Sequence, residues 1–368
     1  MKQQEHSESA TAFKKQLASY KQLIDQDIEE YSKQQEKESL QDFGINSRVA
    51  IDAYLSILKR GGKRIRGALA MVGYEMAGGQ DSEMILRAAR VLELVHAYLL
   101  VVDDINDRSP VRRGGLPAHL IMAEYYRNKG LGDDDLHFGE SIAIHASLVA
   151  CHTAQIMLAE LNVDPELALR AIVSLNKSLV VTGYGQANDV FNEVLGDEVD
   201  ERAVTNVLEW KTAHYTFLSP LQLGMILAGA EDKEIKSMAS FAMNAGLAFQ
   251  IGDDNLGVFG TEFESGKSPL DDIKEGKRTL LTIHALDNAQ NADKNFLLQM
   301  LGNNKLTQLE FQRVKEILVS TGSLEFARSK AAKHVQIAQE ELANNKYFSD
   351  QQTVFLKSLT DYLLIRNM

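Results

Sequence analysis

Residues 91–113 read VLELVHAYLLVVDDINDRSPVRR. An apolar run of about three helical turns ends in Asp103, Asp104 and Asp107, and Arg112 and Arg113 follow after a short turn. On a helix Asp103 and Asp107 stand at i and i+4, so their carboxylates share a face. They sit at the C-terminal end, where the helix dipole disfavours anions. Carboxylates crowded there raise one another's pKa unless a cation neutralises them. A hard, oxygen-seeking ion such as Mg²⁺ fits, because it takes a few carboxylates and keeps waters or phosphates as its other ligands. A merely solvated acidic helix end would need no apolar run leading into it.

The chain has 368 residues, 45% of them hydrophobic, enough for a large core. Five prolines over that length favour long uninterrupted helices. A formal net charge of −12 disfavours a nucleic-acid binder, which shows a basic stripe. The single cysteine, Cys151, suits a reducing cytosol. No secretory leader is expected after Met1, and no apolar run approaches the ~18 residues of a membrane span. The expected location is cytoplasmic.

Outward from the opening stretch, the spacing predicts helices almost throughout. Residues 1 to about 10 are expected to be disordered, residues 12–31 an amphipathic helix and residues 34–41 a polar linker. A helix over 47–59 leads into GGKRIRG, Gly61 to Gly67, whose Lys63 and Arg66 suit phosphate. Asp133, Asp134 and Asp135 read as a surface loop rather than a metal site. A helix over 166–182 precedes GYGQANDV, which places Gln186 and Asp189 on one face. Lys211-Thr212 lies in an apolar stretch, where an unpaired lysine would be costly. FAMNAGLAFQIGDDNLGVFG, Phe241 to Gly260, repeats the opening pattern: an apolar helix ends in Asp253 and Asp254, with Gln250 a turn earlier. Lys267, Asp272, Lys277 and Arg278 follow. Three or four more helices close the chain from Thr282. The expected architecture is all-α, a large single-domain bundle with a central ligand cavity, residues 41–368, preceded by a helical extension over 1–40.

Two apolar helices ending in aspartates, on an acidic chain that also carries Lys63, Arg66, Arg112, Arg113, Lys211, Lys267 and Lys277, suggest a ligand with several phosphates held by Mg²⁺ and cations together. No GxxxxGK[ST] loop is present. Apolar walls behind the aspartates suggest a greasy tail. At this point the sequence resembles the trans-isoprenyl diphosphate synthases of the polyprenyl synthetase family. The resemblance spans roughly residues 45–368 and rests on Gly62 to Arg66, on DDIND (Asp103 to Asp107) with its trailing arginines, on Lys211-Thr212 and on FQIGDDNLG.

That resemblance implies Mg²⁺ on Asp103, Asp107 and Asp253, with Asp104 and Asp254 in support. It implies allylic diphosphate on Arg112, Lys211, Lys267 and Lys277, and isopentenyl diphosphate on Lys63, Arg66, His96 and Arg113. Thr212 and Gln250 would offer oxygen dipoles to a developing carbocation; Asp189 and Asp272 are weaker candidates for supporting roles. Tyr98, with Leu99 beside it, would floor the tail cavity and resembles synthases stopping at twenty carbons; the fifteen-carbon product is the alternative. A homodimer is usual in such a family. One departure stands out: Gly257 occupies the place of a third aspartate in many members, and an aspartate restored there is expected to leave activity within about tenfold. A terpene cyclase would not need Lys63, Arg66 and Arg113. A non-catalytic subunit of a heteromeric synthase would be expected to have lost an aspartate pair.

Overall fold

The computed structural model describes residues 2–261 and 268–366. Among the described residues the secondary structure is helical, apart from one isolated bridge between Arg112 and Gly115. The all-α class is therefore as expected. The chain divides into two compact units. One, here the DDIND unit, holds Gln16–Val173 and Leu223–Gly229. The other, the DDNLG unit, holds Met1–Lys15, Ser174–Gln222 and Ala230–Met368.

The first helix, α1 (Lys2–Phe43), is longer than the sequence reading allowed. The expected disordered start and polar linker are both helical. The physical reason is visible in the sequence: no glycine or proline occurs before Gly44, whose φ of 84° ends the helix. Polar residues in the supposed linker bond along the helix, Gln34 Nε2 donating to Glu38 at 2.7 Å. Apolar α1 side chains, Phe13, Ile24 and Ile28 among them, are buried.

Within the DDIND unit, α2 (Ile45–Lys59), α3 (Ile65–Met76), α4 (Ser82–Asn106), α5 (Ala118–Asn128) and α6 (Asp135–Ala159) pack together, with α4 against α3 and α6. By length and composition alone α6 could cross a membrane, its most apolar window averaging a hydropathy of 1.5. In the fold its alanines, Ala143, Ala146, Ala150 and Ala154, are buried, and it packs against α4 and α5. Ile144, Leu148, Val149 and Ile156 are exposed, whereas Leu158 is buried.

α7 (Pro165–Leu195) runs past Thr182, where the sequence reading ended the helix, and straight through GYGQANDV. It ends at Gly196, with φ 60°. In the DDNLG unit, α8 (Glu201–Val207) passes into a π-helical segment, Leu208–Leu218. α9 (Ser219–Leu227) and α10 (Asp232–Ser237) lead to α11 (Ala239–Phe259), which packs against the π segment. The short α12 (Asp271–Glu275) precedes α13 (Leu280–Asn288), α14 (Asn291–Met300), α15 (Gln308–Ser320), α16 (Ser323–Ala343) and α17 (Val354–Arg366), so five helices stand where three or four were expected. α11 also packs against α16 and α17. Phe13 of α1 sits against Phe355 and Tyr362 of α17, ring centroids 5.1 and 5.0 Å away.

Candidate active site

The DDIND turn is built by the way α4 starts and stops. Asp81 caps its N-terminus, accepting from the Met84 N–H at 2.9 Å. Its last turn closes with the Asp107 N–H on the Asp103 carbonyl at 2.9 Å. The chain then folds back through a tight turn in which Arg112 and Gly115 exchange both backbone hydrogen bonds, at 2.8 and 3.2 Å. Arg113 and Gly114, its central residues, both have positive φ (51° and 71°), the signature of a type I′ turn and the reason for glycine there. Arg60 Nη1 donates to the carbonyls of Arg112 and Leu116, at 3.1 and 2.6 Å, holding this turn in place.

That geometry returns Arg112 onto the motif. Its Nε donates to Asp104 Oδ1 at 2.6 Å, and its Nη2 lies 3.4 Å from Asp103 Oδ2. Asp104 is fully buried and its second oxygen has no hydrogen-bond partner. Burial pushes the Asp104 carboxyl up, and the Arg112 pair counteracts this only in part. Arg113 donates to the Ile57 carbonyl at 2.9 Å. Burial, then the neighbouring guanidiniums of Arg64, Arg66 and Arg112, bring Arg113 down to about 10 against the pull of Glu93. His96, two turns before Asp103, feels burial first and then Arg66, Arg113, Arg112 and Arg64, which hold its pKa well below 6.5. It is a neutral imidazole at pH 7. Lys63 is exposed and Arg66 half-buried, while Tyr98 is buried and Leu99 half-buried on α4.

Arg64, which stands between the phosphate candidates Lys63 and Arg66, instead fixes the GGKRIRG element. Arg64 is buried, with Nε on Asp25 at 2.7 Å, Nη1 on Glu93 at 3.1 Å and Nη2 on the Leu58 carbonyl at 2.7 Å. Glu93 also accepts from the Gly67 N–H at 3.1 Å. The available signal was Glu93 itself, an acid inside an apolar run that is tolerable only if paired.

In the DDNLG unit, Lys211 Nζ donates to Asp189 Oδ2 at 2.6 Å, so α7 supplies the partner that this lysine requires. Any side chain at Gly185 would overlap the backbone of Lys211, which explains a glycine inside an unbroken α7. Lys211 and the half-buried Thr212 lie in the π segment, a helix form often found at functional sites. On α11, Gln250 Nε2 donates to Asp254 Oδ1 at 2.7 Å, leaving its amide oxygen for other use. Asp253 pairs with Arg366 of α17, whose guanidinium lies 4.9 Å from the centre of the Phe249 ring. Lys277 Nζ stands 2.9 Å from Glu275 and 3.7 Å from Asp272. Lys267 lies outside the described residues.

Burial, then the charges of Asp272 and Asp253, push Asp254 up to about 7, although Gln250 and Lys277 oppose them. A carboxylate so crowded fits a site that takes a cation. The all-oxygen donor set and the buried Asp104 oxygen fit Mg²⁺. Among the described residues no three acidic, histidine or cysteine side chains form a ready-made cage. Mg²⁺ does not require one, because it keeps waters and substrate phosphates. A side chain at Gly257 would begin where the Asp272 carboxylate lies, so an aspartate there would require the end of the Asp272 side chain to shift.

Comparison with known proteins identifies the family. A family model described as polyprenyl synthetase matches residues 48–318. The geranylfarnesyl diphosphate synthase of Aeropyrum pernix is 31% identical over 85% of this chain and 93% of its own length. The geranylgeranyl diphosphate synthase of Sulfolobus acidocaldarius is 30% identical over 86% of this chain and 90% of its own. Among solved structures, a geranylgeranyl pyrophosphate synthase from Corynebacterium glutamicum, complexed with isoprenyl diphosphate and magnesium, superposes with a TM-score of 0.89. It shares 28% identity, covering 95% of this chain and 99% of that one. This chain belongs to the polyprenyl synthetase family and is a prenyl-transferring diphosphate synthase.

Proposed function

We propose that the chain condenses isopentenyl diphosphate with allylic diphosphates, head to tail and in trans geometry, stops at the twenty-carbon geranylgeranyl product and uses Mg²⁺. One observation carries this reading. In the DDIND unit a carboxylate turn for a cation stands beside Arg112, with Arg113, Arg66 and a neutral His96 close enough to feel one another's charge. Metal-binding acids and phosphate-binding donors share one place.

Asp103 and Asp107, and in the DDNLG unit Asp253, would hold Mg²⁺; Asp104 and Asp254 support them. The ion, when bound, supplies positive charge to the leaving diphosphate. Arg112, Lys211, Lys267 and Lys277 bind and orient the allylic diphosphate. Asp189 aims Lys211 through their ion pair. Lys63, Arg66 and Arg113 bind the other diphosphate, and neutral His96 adds an N–H donor without further crowding of positive charge. The allylic C–O bond breaks with its electron pair leaving on diphosphate. The double bond of isopentenyl diphosphate attacks the resulting cation, with proximity supplying much of the rate. The Thr212 and Gln250 oxygens stabilise that cation, and a proton leaves to the diphosphate. Tyr98, five residues before Asp103 and so about 7.5 Å along the helix, floors the tail cavity with Leu99 beside it.

The synthase occupies residues 41–368, with 1–40 as a helical extension. The exposed Ile144, Leu148, Val149 and Ile156 on α6 favour a homodimer, because a monomer seldom turns alanines inward and larger apolar side chains to water. The single cysteine suits a cytoplasmic enzyme. The test is a product assay: purified protein, Mg²⁺, isopentenyl diphosphate and, in turn, five-, ten- and fifteen-carbon allylic diphosphates, with products resolved by mass spectrometry. One dominant twenty-carbon product is expected. A shorter or longer dominant product overturns the length assignment, and no condensation with any primer by folded protein overturns the catalytic one.

A further inference from the structure

Arg112 and Arg113 stand in a turn with little anchorage of its own. From Val111 to Leu116 every residue is exposed or half-buried. Arg113 also holds a φ of 51°, which L side chains seldom adopt, so the turn needs support from outside. That support comes from the end of α2, whose Leu55, Ile57 and Leu58 are fully buried. Arg60, the residue after α2, sends its guanidinium across to the turn, where Nη1 donates to the Arg112 and Leu116 carbonyls at 3.1 and 2.6 Å. In the other direction, Arg113 Nη1 donates to the Ile57 carbonyl at 2.9 Å. Each guanidinium lies against a glycine of the opposite segment. A Cβ at Gly115 would fall 2.8 Å from Arg60 Cζ, and one at Gly62 would fall 3.0 Å from Arg113 Nη2. Two arginines thus cross between the end of α2 and the turn, each seated where a side chain would crowd it.

We propose that Arg60 is a positioning residue for both diphosphates: it ties the turn to the start of GGKRIRG, so that Arg112 and Arg113 are aimed together. The inference rests on the functional reading above, in which Arg112 meets the allylic diphosphate and Arg113, with Lys63 and Arg66, meets isopentenyl diphosphate. Arg60 acts through the backbone of the turn and touches neither substrate. The Arg112 carbonyl that it holds belongs to the residue whose side chain bonds Asp104 at 2.6 Å, so a shift of the turn moves that guanidinium as well. Such shifts are costly, because a displacement of about 1 Å in a positioning group can cost about a hundredfold in rate. Gly115 is the counterpart of Arg60: it leaves the space in which the guanidinium lies.

The experiment measures KM and kcat separately for isopentenyl diphosphate and for the fifteen-carbon allylic diphosphate. It compares wild type, Arg60→Met, Arg60→Lys, Gly115→Ala and the double variant Arg60→Met/Gly115→Ala, with Arg112→Ala and Arg113→Ala as controls and circular dichroism to monitor the fold. Arg60→Met should raise KM for both substrates about tenfold, with kcat changed less. Arg60→Lys should recover most of the loss, because an ammonium has donors enough for both carbonyls. Gly115→Ala should reproduce Arg60→Met, since its methyl group displaces the guanidinium, and the double variant should be no worse than either single one. A rise in KM for one substrate alone marks a direct contact and overturns the proposal. Two unchanged KM values with a lowered thermal midpoint mark a merely structural role and overturn it too, as do additive effects in the double variant. If Arg60→Met fails to fold, Gly115→Ala decides: both KM values raised supports the proposal, and any other result rejects it. If Arg112→Ala raises KM for the allylic substrate, Arg113→Ala raises it for isopentenyl diphosphate and Arg60→Met raises neither, only this inference falls. If none of the three changes either KM, the reading of the site falls and this inference with it.

Discussion

Arg64 and Glu93 show how much a single buried pair carries. Their side chains are 1% and 2% exposed, so water reaches neither charge and each is the other's buried partner. Arg64→Ala would leave Glu93 buried without its guanidinium, and the loss in folding stability should be about 3–5 kcal/mol, measured by urea denaturation. A loss within 1 kcal/mol would mean that the Gly67 N–H alone satisfies Glu93. His96 gives a pH-dependent counterpart. Its folded pKa lies well below its unfolded value of 6.5, so the unfolded chain binds more protons as pH falls below 6.5. The stability associated with neutral His96 is present above that value and is lost as pH falls through the folded pKa. His96→Gln should therefore lose less stability than wild type between pH 7 and 5; identical slopes would remove His96 as a contributor. The aspartates and most cations of the site were legible in sequence because helix periodicity fixes which side chains share a face. The pairing of Arg64 with Asp25 was not, because periodicity is silent on which distant acid meets a cation.

At the scale of elements, breakers were legible and their absence was underweighted. Residues 2–43 hold no glycine or proline, and the helix runs to Gly44 despite a polar stretch that reads as a linker. Conversely, Gly183 and Gly185 lie within an unbroken α7, where Gly185 serves close approach to Lys211. Propensity signals a place where the backbone can break; packing decides whether it does. α6 carries the next prediction. Its alanines face inward and Leu148 is half-exposed among other large apolar side chains. A charge placed there would be buried in any dimer formed through this face and harmless in a monomer. Leu148→Glu should halve the mass found by light scattering while leaving the helical circular dichroism signal unchanged. A wild-type chain that is already a monomer, or a variant that stays dimeric, removes α6 as the dimer face.

For the whole molecule, an all-helical fold followed from few prolines and a 3.6-residue apolar period, whereas the division into two compact units left no mark in composition. Each unit carries one aspartate motif, in the last turn of α4 and inside α11, and the chain as a whole is acidic at −12. The folded state thus concentrates negative charge that the unfolded chain disperses, and self-repulsion of this kind lowers stability. A divalent ion with diphosphate, bound only by the folded state, should reverse that cost: at a hundred times its Kd, a ligand adds about 2.7 kcal/mol. For a chain of this size the gain corresponds to a rise of several degrees in thermal midpoint. Mg²⁺ with inorganic diphosphate should therefore raise the midpoint measured in EDTA, and either one alone should raise it less, because each supplies ligands to the other. Added NaCl distinguishes the causes. If monovalent salt matched the full effect, screening of surface charge would explain the stabilisation and the paired aspartates would lose their claim to a specific ion. If only Mg²⁺ with diphosphate produced it, and Asp103→Asn abolished it, the carboxylates would be acting as ligands rather than as a diffuse charge.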